Sequence, residues 1–322
     1  MQLMERVSAY EHGIYAVDAV YMRPQLVAIH LIVESGRVAV VDTGTSHALP
    51  TVLATLARLG LTEDAVDWVI LTHVHLDHAG GAGAMMQAFP AAKLLVHPRG
   101  ARHMIDPSKL IAGTQAVYGV EATRRLYGEI VPVDAARVVE ANDGFVATLA
   151  GRELLCLDTP GHARHHIAVV DRGSGGIFTG DNFGVSYREL DDGARQFVFP
   201  TTTPVQLEPE AMHATLDRLL GFAPSALYLT HFGRLVDAPA RGADLHRQVD
   251  AHVRLALGVE ADGLTGEARH ARLRAGVEGI VRDELLRYAG PLPLEDAVAL
   301  HANDIELNAQ GLGVWLDTRA KA

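Results

Sequence analysis

Four residues able to ligate a metal stand within six positions of one another. They are His73, His75, Asp77 and His78, in the stretch LTHVHLDHAGG at 71–81. Imidazole nitrogens and carboxylate oxygens together suit zinc or another divalent transition ion. The apolar run at 65–72 reads as a buried strand, and a rigid strand end can aim several side chains into one pocket. The same signature, a ligand-type residue just past a short apolar run, recurs at Asp42, His162, Asp181 and His231. Leaving Asp42 aside, five histidines and two carboxylates remain. One catalytic metal takes about three protein ligands and keeps an open position, so the set fits two metals.

Positioning these residues requires strands that end on one edge. The N-terminal part reads as strands over 13–21, 26–33 and 37–41, with Ser35-Gly36 as a hairpin turn and Asp42-Thr43-Gly44 closing the last. A helix over 48–59 is closed by Gly60, and the small residues after the histidine cluster (AGGAGAMM) allow a helix to start close to it. A short strand covers 93–96. The stretch 98–128 is helical but irregular, a natural place for substrate contacts. Its candidates are His97, His103 and Tyr118, with His30, Tyr187, Phe197 and Phe199 as further pocket candidates judged by position, Phe197 and Phe199 reading equally as core or interface residues. Strands resume over 137–139, 144–149, 153–157, 167–171, 176–180 and 226–230, with a helix over 209–220, so the second half is expected to repeat the first in outline. Beyond 240 apolar residues recur at helical spacing, and Pro291 and Pro293 set off a last pair of helices. The pattern is α/β, with a catalytic domain over 1–238 and a helical region over 239–322 packed on the core and offering a homodimer surface.

Composition narrows the function classes. Hydrophobic residues make up 48% and charged residues 21%, which is the balance of a globular protein, and the net charge is −11. Phosphate contacts need clustered Lys and Arg, so nucleic acid is not an expected partner. No apolar run reaches the length of a membrane span, and the opening MQLMERVSAYEHG lacks the features of a signal peptide, so a cytoplasmic protein without a membrane partner is expected. The one cysteine, Cys156 in ELLCLDTP, reads as a small core residue and not as a nucleophile.

HVHLDH, followed by TPGH, GD and TH in that order, is similar to the metallo-β-lactamase-fold hydrolases over about residues 10–235. The resemblance implies a four-layer αββα metallo-β-lactamase fold with an α-helical C-terminal extension. It places His73, His75 and His162 on a first metal, Asp77, His78 and His231 on a second, and Asp181 between the two, with Asp42 behind the ligands. Two divalent ions are implied, zinc first, with manganese, iron or cobalt as alternatives. GARHMIDPSKL at 100–110 and TPGHARHH at 159–166 look like a branch related to glyoxalase II with a helical C-terminal region, in which His165 and His166 either line the pocket or pack behind it. The implied reaction is hydrolysis of a small ester, thioester or lactone by a metal-bridging hydroxide, with Asp77 orienting it and moving the proton. Two other readings share the motif: a mononuclear iron oxidoreductase like the persulfide dioxygenases, and a hydrolase of a small phosphoester.

Overall fold

The computed structural model describes residues 6–202 and 206–320, with all their side chains except those of Val117 and Tyr118. The opening MQLME and the candidate ring of Tyr118 therefore lie outside the described part. The described residues pack as two compact units. The first runs to Asp158 and takes in His165–Gly180 and Ser225–Arg234. The second holds Thr159–Arg164, Asp181–Pro224 and the chain from Leu235 onward.

The first unit contains a seven-stranded sheet in plain sequence order: β1 (Val7–Ala9), β2 (Ile14–Asp18), β3 (Ala28–Glu34), β4 (Arg37–Val41), β5 (Val66–Ile70), β6 (Lys93–Val96) and β7 (Val138–Glu140). The first four strands are antiparallel hairpins, and β4 to β7 run parallel. Parallel neighbours need a crossover. Here α1 (Leu49–Arg58) joins β4 to β5, and α2 (Leu76–Ala79) and α3 (Ala82–Ala88) join β5 to β6. The insertion α4 (Pro98–Ile105), α5 (Ser108–Tyr118) and α6 (Val120–Tyr127) joins β6 to β7. Strand alternation divides the apolar residues between two cores. Ile29, Leu31, Val38, Val40, Val66 and Val69 face the helices, where they meet Val52, Leu56, Met85 and Phe89. Ile14, Ile32, Ala39, Val41 and Ile70 face the other way, onto a second sheet.

That sheet has the order β13-β12-β11-β10-β9-β8, from β8 (Val146–Leu149), β9 (Arg152–Asp158), β10 (Ile167–Asp171), β11 (Gly176–Gly180), β12 (Leu227–Leu229) and β13 (Gly233–Leu235). Leu149, Leu154, Cys156, Val169 and Phe178 supply its side of the shared core. The second half is not a repeat of the first. β8 to β11 form an antiparallel meander, because the turns at 150–151 and 172–175 are too short for a crossover, and β11 and β12 pair in parallel. The strand expected over 13–21 stops at Asp18, whose carboxylate accepts from the amides of Val20 (2.8 Å) and Gln25 (3.0 Å) and turns the chain away. The short strands β1 and β13 carry too few residues for a pattern to show in the sequence.

The second unit contains α7 (Pro209–Leu220), α8 (Ala238–Ala261), α9 (Gly266–Tyr288), α10 (Leu294–Leu300) and α11 (Ala302–Arg319). Leu273, Val277, Val281 and Leu285 repeat every four residues along α9 and are buried, as are Ile305, Leu312 and Leu316 of α11. Each such side chain contributes roughly 1.5–3 kcal/mol on burial. Tyr187, Phe197 and Phe199 are interior packing residues. The Tyr187 hydroxyl donates to Asp304 (2.8 Å), Phe197 lies against Tyr288 and His301, and Phe199 lies against His252 and His301. Among the described residues, no helix is long and apolar enough to cross a membrane. The two sheets with their helices, followed by C-terminal helices, form the α/β architecture expected from the sequence.

His252 gives this interior an acid-sensitive point. Burial pulls its imidazole down to about 4, and its Nδ1 hydrogen bond to the Gln248 carbonyl (2.8 Å) only partly offsets that. Its folded pKa lies below the unfolded one, so the stability is present above the ordinary imidazole range and is lost as pH falls towards the folded value. The shift amounts to about 2 kcal/mol less stability near pH 5 than near pH 7. Urea midpoints at the two pH values should fall less in His252→Phe than in the parent chain; an equal fall would remove His252 as the cause.

Candidate metal centre

The parallel strands β4, β5 and β6 end on one edge, where the chain delivers Asp42, His73 and His97 in turn. In the second sheet β9, β11 and β12 all run the same way. Their ends carry Asp158, Gly180 and Leu229, and Thr230-His231 follows the last. Two backbone hydrogen bonds join the sheets here, Ile167 N–H to the Thr72 carbonyl and Ala28 N–H to the Thr230 carbonyl, both 2.7 Å.

The Asp42 carboxylate organises this edge. It is fully buried and accepts from the Thr72 amide (2.8 Å), the Thr72 hydroxyl (2.9 Å), the Thr230 hydroxyl (2.7 Å) and His78 Nδ1 (2.9 Å). Because a carboxylate of this kind only accepts, the His78 hydrogen belongs on Nδ1 and its Nε2 carries the lone pair. His231 is fixed in the same sense, its Nδ1 donating to the Leu26 carbonyl at 2.8 Å. Asp77 and His78 lie on the single turn of α2. The next turn of chain is gripped at the His78 carbonyl, which accepts from the amide and hydroxyl of Thr43, each at 2.7 Å. Asp77 Oδ2 then stands 3.7 Å from His78 Nε2 and 3.5 Å from His231 Nε2. The ligand atoms of Asp77, His78 and His231 all lie within 4.8 Å of one another.

His73 and His75 form a second pair on the same unit. His73 Nδ1 is 3.2 Å from the Thr72 hydroxyl, whose hydrogen goes to Asp42, so the ring donates there and turns Nε2 outward. That Nε2 faces His75 Nδ1 at 2.9 Å. His166 is fully buried with its ring 5.1 Å from that of His73, and Gly180 passes close to His166 and to Thr72. A Cβ at Gly180 would come within 2.4 Å of His166 Nε2 and 2.8 Å of Thr72, and φ there is +50°, so a side chain is excluded on two counts. His165 lies edge-on to His75 with ring centroids 5.7 Å apart, and its buried Nδ1 has no hydrogen-bond partner. Burial first, and then the neighbouring imidazoles of His75 and His103, hold the His165 pKa down at about 3. His97 caps α4, its Nδ1 accepting from the Arg99 amide (3.0 Å), while its Nε2 is 3.4 Å from Asp158. His30 is an inter-sheet core residue, packed against Phe178 and Tyr228.

In the second unit His162 and Asp181 come together. His162 donates its backbone N–H to Asn182 Oδ1 (3.1 Å), and the Asn182 amide donates to the Thr159 carbonyl (2.6 Å), which sets the TPGH turn. His162 Nδ1 is 3.0 Å from the Thr201 hydroxyl, which itself donates to the Asp181 carbonyl. The ring therefore presents Nε2, 3.4 Å from Asp181 Oδ2. Gly161, at φ +137°, passes so close to α7 that a Cβ would lie 2.6 Å from the Met212 Cα.

The positioning residues Thr72, Thr230, Asn182 and Thr201 escape a reading aimed at ligands. A signal for two of them is present all the same: LTH occurs at both 71–73 and 229–231, and both threonines bind Asp42. Cys156 is a core residue, fully buried, and burial raises its thiol to about 12. The imidazole and carboxylate cluster, with hydrogens held on the outer nitrogens, is compatible with divalent metal binding.

The family model described as Metallo-beta-lactamase superfamily matches residues 22–231. A metallo-beta-lactamase fold-containing protein of Sulfurisphaera tokodaii is 24% identical over 261 residues, 80% of this chain and 91% of that protein. A hydroxyacylglutathione hydrolase of Xanthomonas campestris pv. campestris is 33% identical over 151 residues, 47% of this chain and 44% of the relative. A solved structure of a metallo-beta-lactamase family protein from Thermus thermophilus matches with a TM-score of 0.64 at 22% identity, covering 96% of this chain and 94% of that one, a likeness of fold. The matched span contains each ligand-type residue from Asp42 to His231. The chain belongs to the metallo-β-lactamase superfamily, as an enzyme of the hydrolase type.

Proposed function

We propose that the chain is a binuclear metallohydrolase acting on a small ester, thioester or lactone. His73, His75 and His162 hold one metal, Asp77, His78 and His231 hold the other, and Asp181 bridges them. Zinc is the first choice, because every donor is an imidazole nitrogen or a carboxylate oxygen. The observation that carries the reading is the tautomer assignment. Hydrogen bonds hold the outer nitrogens of His73, His78, His162 and His231, so each ring turns its other nitrogen to a neighbouring ligand-type residue, His75, Asp77 or Asp181. Metals in such a site supply electrophilic activation of a carbonyl and of water. Asp77, a quarter exposed, orients the attacking water and takes its proton. Asp42 keeps His78 in the ligating tautomer throughout. The imidazoles of His165, His103 and His97 offer a polar wall for the acyl portion of a substrate.

Membership of the superfamily and the relatives named hydroxyacylglutathione hydrolase support hydrolysis of an acyl bond. The net charge of −11 disfavours a polynucleotide, so the substrate is a small molecule, acted on in the cytoplasm. No membrane partner is proposed, and a homodimer is the expected assembly.

Metal analysis beside an ester, thioester and lactone panel tests this: about two zinc or manganese per chain with turnover is the expected result. About one iron per chain, with oxygen uptake on a persulfide, would replace the hydrolase with a dioxygenase. Asp181→Asn should lose metal and activity together, and an unchanged stoichiometry would remove it from the bridging position. Asp42→Asn should fold yet bind metal about 10–100-fold more weakly, as measured by competition with a chromophoric chelator. Cys156→Ser should retain nearly full activity, whereas an inactive, folded variant would argue for a thiol mechanism.

A further inference from the structure

Two histidines of the second unit, apart from the residues described so far, meet nitrogen to nitrogen. His213 stands on α7 and His246 on α8, with their Nδ1 atoms 2.6 Å apart. The ring planes differ by 3° and the centroids are 4.9 Å apart. That separation equals the nitrogen contact plus one ring radius at either end. The rings therefore meet edge to edge, nitrogen to nitrogen, and do not lie face to face.

The far nitrogen of each ring is held by a carboxylate from the opposite helix. His213 Nε2 is 3.1 Å from Asp250 Oδ1 of α8, and His246 Nε2 is 3.1 Å from Asp217 Oδ1 of α7. Each helix thus contributes a histidine and, four residues later on the same face, an aspartate, so the arrangement is reciprocal. Ionised carboxylates only accept, which puts the hydrogen of each ring on Nε2 and a lone pair on each Nδ1. Two lone pairs then point at each other at 2.6 Å. A cation between them turns this repulsion into attraction.

We propose that the cation is a divalent transition-metal ion of the imidazole-binding kind (copper, nickel or zinc), clamped between α7 and α8 by His213 and His246. Three observations favour a metal over a proton. The carboxylate–histidine pairing on the outer nitrogens is the support that metal-bound imidazoles commonly have. Two aspartates balance a divalent charge, whereas a proton would leave the cluster anionic. The side chains are about a quarter exposed, His213 28% and His246 27%, so an ion can enter and water can complete its coordination. Binding at about 2.0–2.1 Å needs the nitrogens to part to roughly 3.3 Å with the two rings swung to a tetrahedral angle, a rearrangement open to side chains a quarter exposed.

The test is equilibrium dialysis of the protein, carrying the metal with which it is purified, against micromolar Ni²⁺ or Zn²⁺ at neutral pH. The parent chain should take up one equivalent more than His213→Asn/His246→Asn, and the added metal should raise the melting temperature of the parent alone. Asp217→Asn/Asp250→Asn keeps both imidazoles and should bind the extra equivalent about 10–100-fold more weakly. Equal uptake by the parent and the histidine variant would overturn the proposal and leave a proton-bridged imidazole pair. Should the double variant fail to fold, His246→Asn alone and the aspartate variant carry the same comparison. Because the readout is a difference between variants, it stands whatever occupies the superfamily site.

Discussion

A carboxylate taken fully out of water must be matched by donors, and at Asp42 that match joins three stretches of chain far apart in sequence. The Asp42 oxygens take up the Thr72 amide and hydroxyl, the Thr230 hydroxyl and the His78 ring. Removing the acceptor would strand several buried donors, each at a cost of about 1–3 kcal/mol. The same contacts set the tautomers of His73, through Thr72, and of His78 directly. Fold and site therefore share one constraint: what closes the edge of the two sheets also aims the imidazoles.

Glycine supports this constraint where nothing larger fits. Gly180 lets β11 pass against Thr72 and His166, and Gly161 lets the TPGH turn pass against α7. Each lies immediately before a ligand-type residue, Asp181 and His162, so the close approach and the ligand come from one local choice of sequence. The strand ends follow the same economy. Parallel strands require returns by helices, and their ends then fall on one edge, which is where polar side chains can converge without disturbing the apolar cores.

The legibility of the chain followed the length of its patterns. Strands with sustained apolar runs, such as β3, β4 and β11, and helices with four-residue stripes, such as α9, were readable because periodicity alone separates their faces. β1 and β13, three residues each and without an apolar run leading to a ligand-type residue, went unread. The end of β2 at Asp18 depends on one side chain capturing two amides, a choice that composition does not announce. Tyr187 illustrates the opposite error: an aromatic residue near a ligand looks like a pocket in sequence, yet it turns inward against Asp304, while Phe197 and Phe199, open in the sequence between pocket and core, pack against His301 and His252.

The ligand-type residues and their order were legible in the sequence alone. Imidazoles and carboxylates at strand ends, in the order HVHLDH, TPGH, GD and TH, supply donor atoms compatible with divalent metal binding. The sequence also determined the class of fold, because two-residue and four-residue periods dictate which elements form. The tertiary structure decided which nitrogen of each ring is offered, since that depends on partners such as Leu26, Thr201 and Asp42 brought in from elsewhere in the chain. It alone decided the meeting of His213 with His246, 33 positions apart on helices whose sequences give no hint of each other. Local pattern fixes what a segment is; only packing fixes what it faces.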